Sequence, residues 1–369
     1  MSENYLRDDR GNGKGSISLK AFSAFCHALV GTSIRQLKLA HCGIDAAALG
    51  FLPEPPVDPS GVKSTKNLST TTGARYPLLN SPIVQLRSLN LCGNPLTNSE
   101  PFFSTALENY APRDLRYPSS NVKTELKLDR DLVALQRVCH AISKSRLLTR
   151  LELSDCGLGE KALEALTNEL AWPDSSIRVL NLNDNPGLVG AHKHVQQADA
   201  NVHGWAKFCT VLTSSRLGEL QLRQVGMGPR ALSKLANKLK CEGANPTQLS
   251  RSLTALDISD NCLFGFEPVK SEIAVFQLQQ APDQDPSGWK DLCHAIPLAM
   301  INTLLVQNVG CGKQGADILA SAISVASKRA EDTGQPLRLQ CIDLKRNEAL
   351  PAGHLEPWND PDKYLVVRH

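Results

Sequence analysis

The chain has 369 residues, of which 41% are hydrophobic, 5% aromatic and 21% charged, with a formal net charge of +3. A single compact core rarely grows beyond about 300 residues, so this length predicts either several domains or a repeat array. The small net charge argues against nucleic-acid binding, and the sequence contains no run of about 18 apolar residues that could span a membrane.

The amino-terminal segment is polar and lacks the apolar stretch of a secretory signal. We expect residues 1–15 to form a flexible tail. The 11 cysteines of the chain are expected to be reduced thiols, because disulfides are typical of exported proteins. The sequence therefore predicts a cytoplasmic protein, and nuclear or cytoskeletal association stays open.

A short motif of the form LxxLxLxx(N/C)xL recurs eight times, beginning at Ile34. The two leucines of each L-x-L pair point to one side of a short strand, because side chains alternate along a strand. The N/C position falls where the chain leaves the strand, and a buried polar side chain there can bond loop backbone that would otherwise be unpaired. The residues at this turn position are Cys42, Asn94, Cys156, Asn185, Val225, Asn261, Val309 and Asn347.

Two kinds of copy alternate along the chain. Odd copies have Cys or Val at the turn, then Gly, then a helical pattern such as the one at Gly159–Leu163. Even copies have Asn at the turn, then an insertion and a helix. A segment resembling those even-copy helices predicts a first helix over residues 17–30. The cysteines that recur in these helices are expected to be small buried apolar groups: Cys26, Cys139, Cys209 and Cys293.

Alternating Cys-type and Asn-type units, each with a helix, resemble the ribonuclease-inhibitor-like class of leucine-rich repeats over about residues 17–350. Receptor arrays, RanGAP-type activators and tropomodulin-like caps share this class. The resemblance implies an α/β solenoid, or horseshoe, with parallel strands on the concave face and helices on the convex face. It does not specify function.

We expect residues 16–350 to form this solenoid as eight strand units, and residues 351–369 to form a carboxyl-terminal cap or tail. Prolines interrupt the chain after Asn347. The last sheet edge is therefore expected to be covered irregularly or by a partner, because exposed edges invite pairing.

Four insertions lengthen the repeats, near residues 51–82, 97–130, 189–203 and 264–287. The last three follow Asn turns in the same phase, so we predict that they emerge on one rim of the solenoid. Drift in tolerated loop length is the alternative. Aromatic residues in the insertions at 97–130 and 264–287 favour a partner-binding rim, and packing of these residues onto the solenoid is a second interpretation. They are Phe102, Phe103, Tyr110, Tyr117, Phe264, Phe266 and Phe276.

The predicted concave strand positions are polar, mixed in charge and free of Trp and Tyr. Interface hot spots favour Trp, Tyr and Arg, so this surface alone is expected to bind weakly. Three aspartates, Asp155, Asp184 and Asp260, occupy equivalent turn positions, which a structural repeat explains without catalysis. The charged candidates for partner contact are Arg150, Glu152, Arg223 and Asp257.

The middle insertion contains His192, His194, Asp199 and His203, residue types that bind zinc. A His-x-His pair is weak support for a metal site, so solvated loop histidines are the preferred interpretation and no cofactor is expected. The sequence contains no P-loop, GxSxG, HExxH or CxxC motif.

These observations predict a non-enzymatic scaffold or adaptor that binds one or more proteins. We expect no small-molecule substrate and no binding to membranes or nucleic acid. The alternative, which is carried by the fold resemblance alone, is a regulatory subunit acting on a small GTPase or a ubiquitin-ligase complex.

Overall fold

The computed structural model describes residues 18–53, 81–98, 128–170, 172–190, 198–240, 247–267, 279–334, 337–351 and 366–368. Nine short strands form one parallel sheet in which chain order and spatial order agree. They are Gln36–Lys38 (β1), Ser88–Asn90 (β2), Arg150–Glu152 (β3), Val179–Asn181 (β4), Glu219–Gln221 (β5), Ala255–Asp257 (β6), Thr303–Leu305 (β7), Cys341–Asp343 (β8) and Val366–Arg368 (β9). The eight predicted strand units are confirmed, each at its predicted L-x-L pair.

The strands pair in strict register along the sheet, so that equivalent residues of neighbouring units are partners. Leu37 pairs with Leu89, and the same alignment continues to the pairing of Leu304 with Ile342. These central residues are buried, whereas their neighbours on either side in each strand are mostly half-buried. One face of the sheet therefore belongs to the core and the other is open.

Helices form the second layer and pack against the buried face of the sheet. They are Leu19–Leu29 (α1), Ala46–Leu49 (α2), Pro82–Gln85 (α3), Val133–Lys144 (α4), Glu160–Glu169 (α5), Val202–Leu212 (α6), Pro229–Leu239 (α7), Gln248–Ser252 (α8), Ser287–Ala295 (α9) and Lys313–Thr333 (α10). A 3₁₀ helix, Ile296–Leu298, follows α9, and a small antiparallel ribbon pairs Phe266–Glu267 with Gln279–Gln280. The result is the predicted α/β solenoid, including its first helix.

The cysteines of the helices lie in the core, as predicted. Cys26, Cys139, Cys209 and Cys293 are all buried. Burial raises the pKa of the Cys26 thiol to about 12, because a thiolate is poorly solvated away from water. The ten cysteines in the described part of the chain are free thiols. Seven of them are buried and act as small apolar side chains.

The asparagines of the even units connect neighbouring units through buried backbone groups. The side-chain Oδ1 of Asn185 accepts hydrogen bonds from Cys156 N at 3.1 Å and Leu158 N at 3.0 Å, both in the preceding unit. Its Nδ2 donates to the carbonyls of Leu153, Leu182 and Asn183. The other members of this ladder bond the unit before them in the same way: Asn94, Asn261 and Asn347.

The odd units need no polar side chain at this position, because the next unit already supplies one. Val225 is buried, and its backbone N–H donates to Asn261 Oδ1 at 3.1 Å. The glycine that follows each odd turn has a positive φ angle, a conformation that side chains disfavour. These glycines are Gly43, Gly157, Gly226 and Gly310.

The carboxyl-terminal end of the sheet differs from the prediction. Val366–Arg368 pairs in parallel with Cys341–Asp343 as a ninth strand, where an irregular cover or a partner was expected. The prolines between them do not prevent this, because a strand needs only three residues once a preformed edge offers its backbone groups. No helix among the described residues is both long and apolar enough to cross a membrane.

Candidate functional site

The turns after the strands, together with the ends of the three even-unit insertions, line one edge of the sheet, which we call the carboxyl-end rim. In all eight units the residue just before the turn position has a positive φ angle. Apart from glycine, Asn and Asp adopt this left-handed conformation most readily. The repeated backbone conformation thus explains the three equivalent aspartates. The eight residues are His41, Gly93, Asp155, Asp184, Gln224, Asp260, Asn308 and Arg346.

Asp260 is the centre of an ion-pair network on this rim. Its Oδ2 lies 2.7 Å from Arg223 Nε, and its Oδ1 lies 2.6 Å from Arg346 Nη2. The same oxygen accepts a hydrogen bond from Asn308 Nδ2 at 2.7 Å. About half of each arginine side chain is exposed, whereas the carboxylate is almost buried. The network therefore orders two cations at the surface without removing them from solvent.

Asp184 lies beside this network in a more crowded acidic environment. Burial raises its pKa above the ordinary value for an aspartate, and Arg223 and the Ser154 hydroxyl oppose that shift. The neighbouring Asp155 and Asp260 raise the pKa further. Arg223 Nε is 4.0 Å from Asp184 Oδ1, so one guanidinium serves two carboxylates. Arg223 and Arg346 are the more exposed charged groups at the centre of the rim, and the carboxylates of Asp184 and Asp260 lie beneath them.

The open face of the sheet, which we call the strand surface, carries the other charged candidates. Arg150 Nη1 lies 2.9 Å from Glu152 Oε1, and its Nη2 lies 3.8 Å from Glu219 Oε2. Glu152 also accepts a hydrogen bond from the Asn90 amide. Asp257 Oδ1 accepts from Ser259 N at 3.0 Å within its own turn. These groups largely satisfy one another.

An aspartate marks the point where each even-unit insertion returns to the solenoid. Asp199 accepts hydrogen bonds from Gly228 N at 2.8 Å, Arg230 N at 2.7 Å and Ala231 N at 3.0 Å, at the start of α7. Burial raises the pKa of Asp199, and these backbone N–H groups oppose the rise. Asp129 and Asp283 cap α5 and α10 in the same way. The three insertions are therefore anchored to the next odd unit at equivalent points.

The first residue of each capping site is a glycine for a steric reason. A Cβ atom at Gly228 would lie 2.7 Å from Asp199 Oδ2, and one at Gly312 would lie 2.4 Å from Asp283 Oδ2. The φ angle of Gly228 is −118°, which any residue can adopt. Space for the carboxylate, and not backbone conformation, requires glycine here.

Sequence reasoning did not identify these caps, although a signal was present. The aspartate precedes its glycine by 30 residues in the first case and by 29 in the other two. The pairing joins the end of an insertion to a helix of the following unit. A motif read within one unit cannot contain both partners.

Two family models match parts of this ladder. A model described as Leucine Rich repeat matches residues 144–166 and 249–265, and a model described as Leucine Rich Repeat matches residues 85–106. Each matched segment includes one strand and its turn. The chain contains leucine-rich repeats and folds as a leucine-rich repeat solenoid.

No curated protein sequence matches this leucine-rich repeat protein. Among solved structures, it is similar to the tropomodulin C-terminal domain from Caenorhabditis elegans, with 11% sequence identity and a TM-score of 0.25. The similar region covers 55% of this chain and 80% of that domain. A likeness this low transfers no property of tropomodulin to this repeat protein.

The aromatic prediction for the repeat protein needs one correction. Phe264 is fully buried, with its ring centroid 5.5 Å from that of Trp289, so it belongs to the core and not to a partner-binding surface. An aromatic residue directly after the turn fills the space below α10, where Gly315 admits its ring. Phe266 lies in the small ribbon. The remaining candidates lie outside the described residues: Phe102, Phe103, Tyr110, Tyr117 and Phe276.

The carboxylate that a zinc site in the middle insertion would need is already bound to another part of the chain. Asp199 holds the amino terminus of α7, and His203 is an exposed helix residue. His192 and His194 lie outside the described residues. Within the described residues, no three His, Cys, Asp or Glu side chains are grouped so that they could hold a metal ion.

Proposed function

We propose that this leucine-rich repeat protein is a non-enzymatic scaffold that binds a partner protein at the carboxyl-end rim. The observation that carries this proposal is the capping of α5, α7 and α10 by Asp129, Asp199 and Asp283. The three insertions follow alternate strands of the sheet, so their anchored ends are spaced about 10 Å apart. Loops fixed at their ends by a rigid scaffold are a frequent form of binding site.

The strand surface is a weaker candidate for the main contact. Its charged groups already pair with one another, as Arg150 does with Glu152 and Glu219. A partner would have to replace these contacts, so the net gain per ion pair is small. The surface also lacks the aromatic anchors that dominate most interfaces.

The test replaces the middle part of each even-unit insertion by a short Gly/Ser linker and leaves Asp129, Asp199 and Asp283 in place. The replaced stretches are residues 99–127, 191–197 and 268–278. Affinity purification with mass spectrometry then compares the intact chain with this variant. The proposal expects stoichiometric partners that are lost from the variant, with a nearly unchanged melting temperature.

A matched control replaces residues 54–80, an insertion of the first odd unit, in the same way. Partners should be retained by this control, because its insertion has a different phase. Retention of partners by the rim variant would contradict the proposal. If partners are lost only when Arg150, Glu152 and Asp257 are mutated, the binding site lies on the strand surface instead. Recovery of a small GTPase or a ubiquitin-ligase subunit as the partner would favour the alternative of a regulatory subunit.

A further inference from the structure

The segments that lead into the strands form the edge of the sheet opposite the carboxyl-end rim. Their backbone continues the ladder of the strands, since Arg87 N donates to Arg35 O at 2.7 Å and Arg178 N donates to Thr149 O at 2.7 Å. Equivalent positions of neighbouring units are therefore about 5 Å apart. The amino-end edge, as we call it, comprises the six residues before each of β1–β6: residues 30–35, 82–87, 144–149, 173–178, 213–218 and 249–254.

The amino-end edge is strongly basic, although the formal net charge of the whole chain is only +3. It contains seven Arg or Lys residues and one acidic residue, Asp174. By contrast, the six residues after each of the same strands include one arginine and three aspartates in total. Each of the six units contributes one arginine to the edge, and these are Arg35, Arg87, Arg146, Arg178, Arg216 and Arg251.

The guanidinium groups of this edge are not already neutralised by carboxylates. Five of the six arginines are exposed, and Arg178 is half-buried and donates to the carbonyls of Ser176 and Ile177. None of the six forms an ion pair with another residue that the structure describes, whereas Arg150 and Arg223 both do. An approaching carboxylate therefore has no existing ion pair to displace.

Exposed apolar side chains lie among these arginines. Seven large apolar residues are exposed in the described part of the chain, and three of them, Val30, Ile34 and Leu147, belong to the amino-end edge. Met300 holds the place of Leu147 in the seventh unit and is also exposed. Ile34 is 42% exposed, whereas its equivalents in the next five units are at most 2% exposed, because β1 has a neighbouring strand on one side only.

We propose that the amino-end edge binds an acidic segment of a partner protein in which apolar residues are interspersed. Carboxylates of the segment pair with the row of arginines, whose planar guanidinium groups match carboxylates in charge and geometry. Its apolar side chains cover Ile34 and Leu147. The edge contains no Phe, Trp or Tyr on which the bases of a single-stranded nucleic acid could stack, so a polypeptide is the favoured partner. Six units span about 24 Å, the length of about seven extended residues.

The test selects random linear peptides, displayed on phage, against the intact chain. Selected peptides are then measured by fluorescence polarisation against the intact chain and the double variant Arg87→Glu/Arg146→Glu. The control variant is Arg137→Glu/Lys234→Glu, which makes the same change of charge at exposed positions of α4 and α7. Thermal melting verifies that both variants are folded. A single-stranded RNA of random sequence and vesicles containing phosphatidylserine are titrated in the same way.

The proposal expects enrichment of Asp or Glu together with apolar residues in the selected peptides. Reversal of the two edge arginines should weaken binding by about tenfold or more, as loss of charge-assisted pairs does, and the control by less than about twofold. Recovery of no acidic peptide, or equal weakening by both variants, would overturn the proposal. Tighter binding of the RNA or of the vesicles through the same arginines would overturn the assignment of a polypeptide partner.

A second pair of variants tests the apolar part of the proposal. Leu147→Ser should weaken binding of the selected peptides by about threefold or more, because apolar contact is lost. Val325→Ser, at another exposed apolar position on α10, should leave binding unchanged, and equal effects of the two would contradict the proposed contact. The variant with shortened even-unit insertions should bind these peptides as the intact chain does, so this outcome is independent of the rim experiment.

Discussion

The odd and even units of the solenoid satisfy the buried backbone groups of their turns in different ways. In even units a buried Asn bonds the backbone of its own turn and of the preceding unit, as Asn185 does with Cys156 and Leu182. In odd units the turn residue is apolar or a thiol, and its backbone is bonded by the next unit. The even units therefore supply the polar contacts, and the odd units supply the surface that receives them.

The even units also act in the opposite direction along the chain. Asp199 reaches forward to cap the helix of the following odd unit, while Asn185 of the same unit reaches back. Each such even unit holds both neighbours. The two-unit alternation is thus a structural period, and the predictions below test whether the division of roles between odd and even units is correct.

The largest effect is expected at the asparagines of the even units. Asn185→Ala or Asn261→Ala should lower the free energy of unfolding by about 3 kcal/mol, because several buried backbone groups lose their partners. Denaturant titration measures this change. Asn237→Ala, on the exposed side of α7, is the control and should change stability by less than about 0.5 kcal/mol. Equal stability of all three variants would show that the ladder does not hold the units together.

A smaller loss is expected when an even-type residue is placed in an odd unit. Val225→Asn should destabilise by about 2 kcal/mol, since the buried amide finds neither water nor free backbone groups there. Val225→Cys introduces the residue that another odd unit already uses at Cys156 and should cost less than about 1 kcal/mol. Thermal melts distinguish the two. A neutral Val225→Asn would mean that odd and even turns are interchangeable.

The smallest of the three effects concerns the forward contact. Gly228→Ala should destabilise by about 1–2 kcal/mol, because its Cβ would displace the Asp199 carboxylate. Gly218→Ala, where the nearest atom is 3.7 Å from the added Cβ, is the control and should be close to neutral. The double variant Asp199→Ala/Gly228→Ala should be no less stable than Asp199→Ala alone, since both changes remove one contact. Additive losses in denaturant melts would contradict this account.

Part of the candidate site could be predicted from sequence and part could not. The sequence shows that the aspartates before the turns are equivalent, because each occupies the same position of the repeated motif. The grouping of Asp184 and Asp260 with arginines depends on the stacking of units, which brings together residues as far apart in sequence as Asp260 and Arg346. Phe264 was predicted on the partner-binding rim but lies in the core. An insertion lacks the periodicity that would indicate whether an aromatic side chain points toward the core.

The sequence by itself determined the solenoid, its eight-unit register, the alternation of turns and the buried helix cysteines. Each of these is recorded in spacing within a unit, where side-chain alternation along a strand and helical periodicity relate sequence directly to a face. Only the tertiary structure decided the ninth strand and the capping aspartates. These arise where different units meet, because hydrogen-bond partners 29 or more residues apart become neighbours only after the units have stacked.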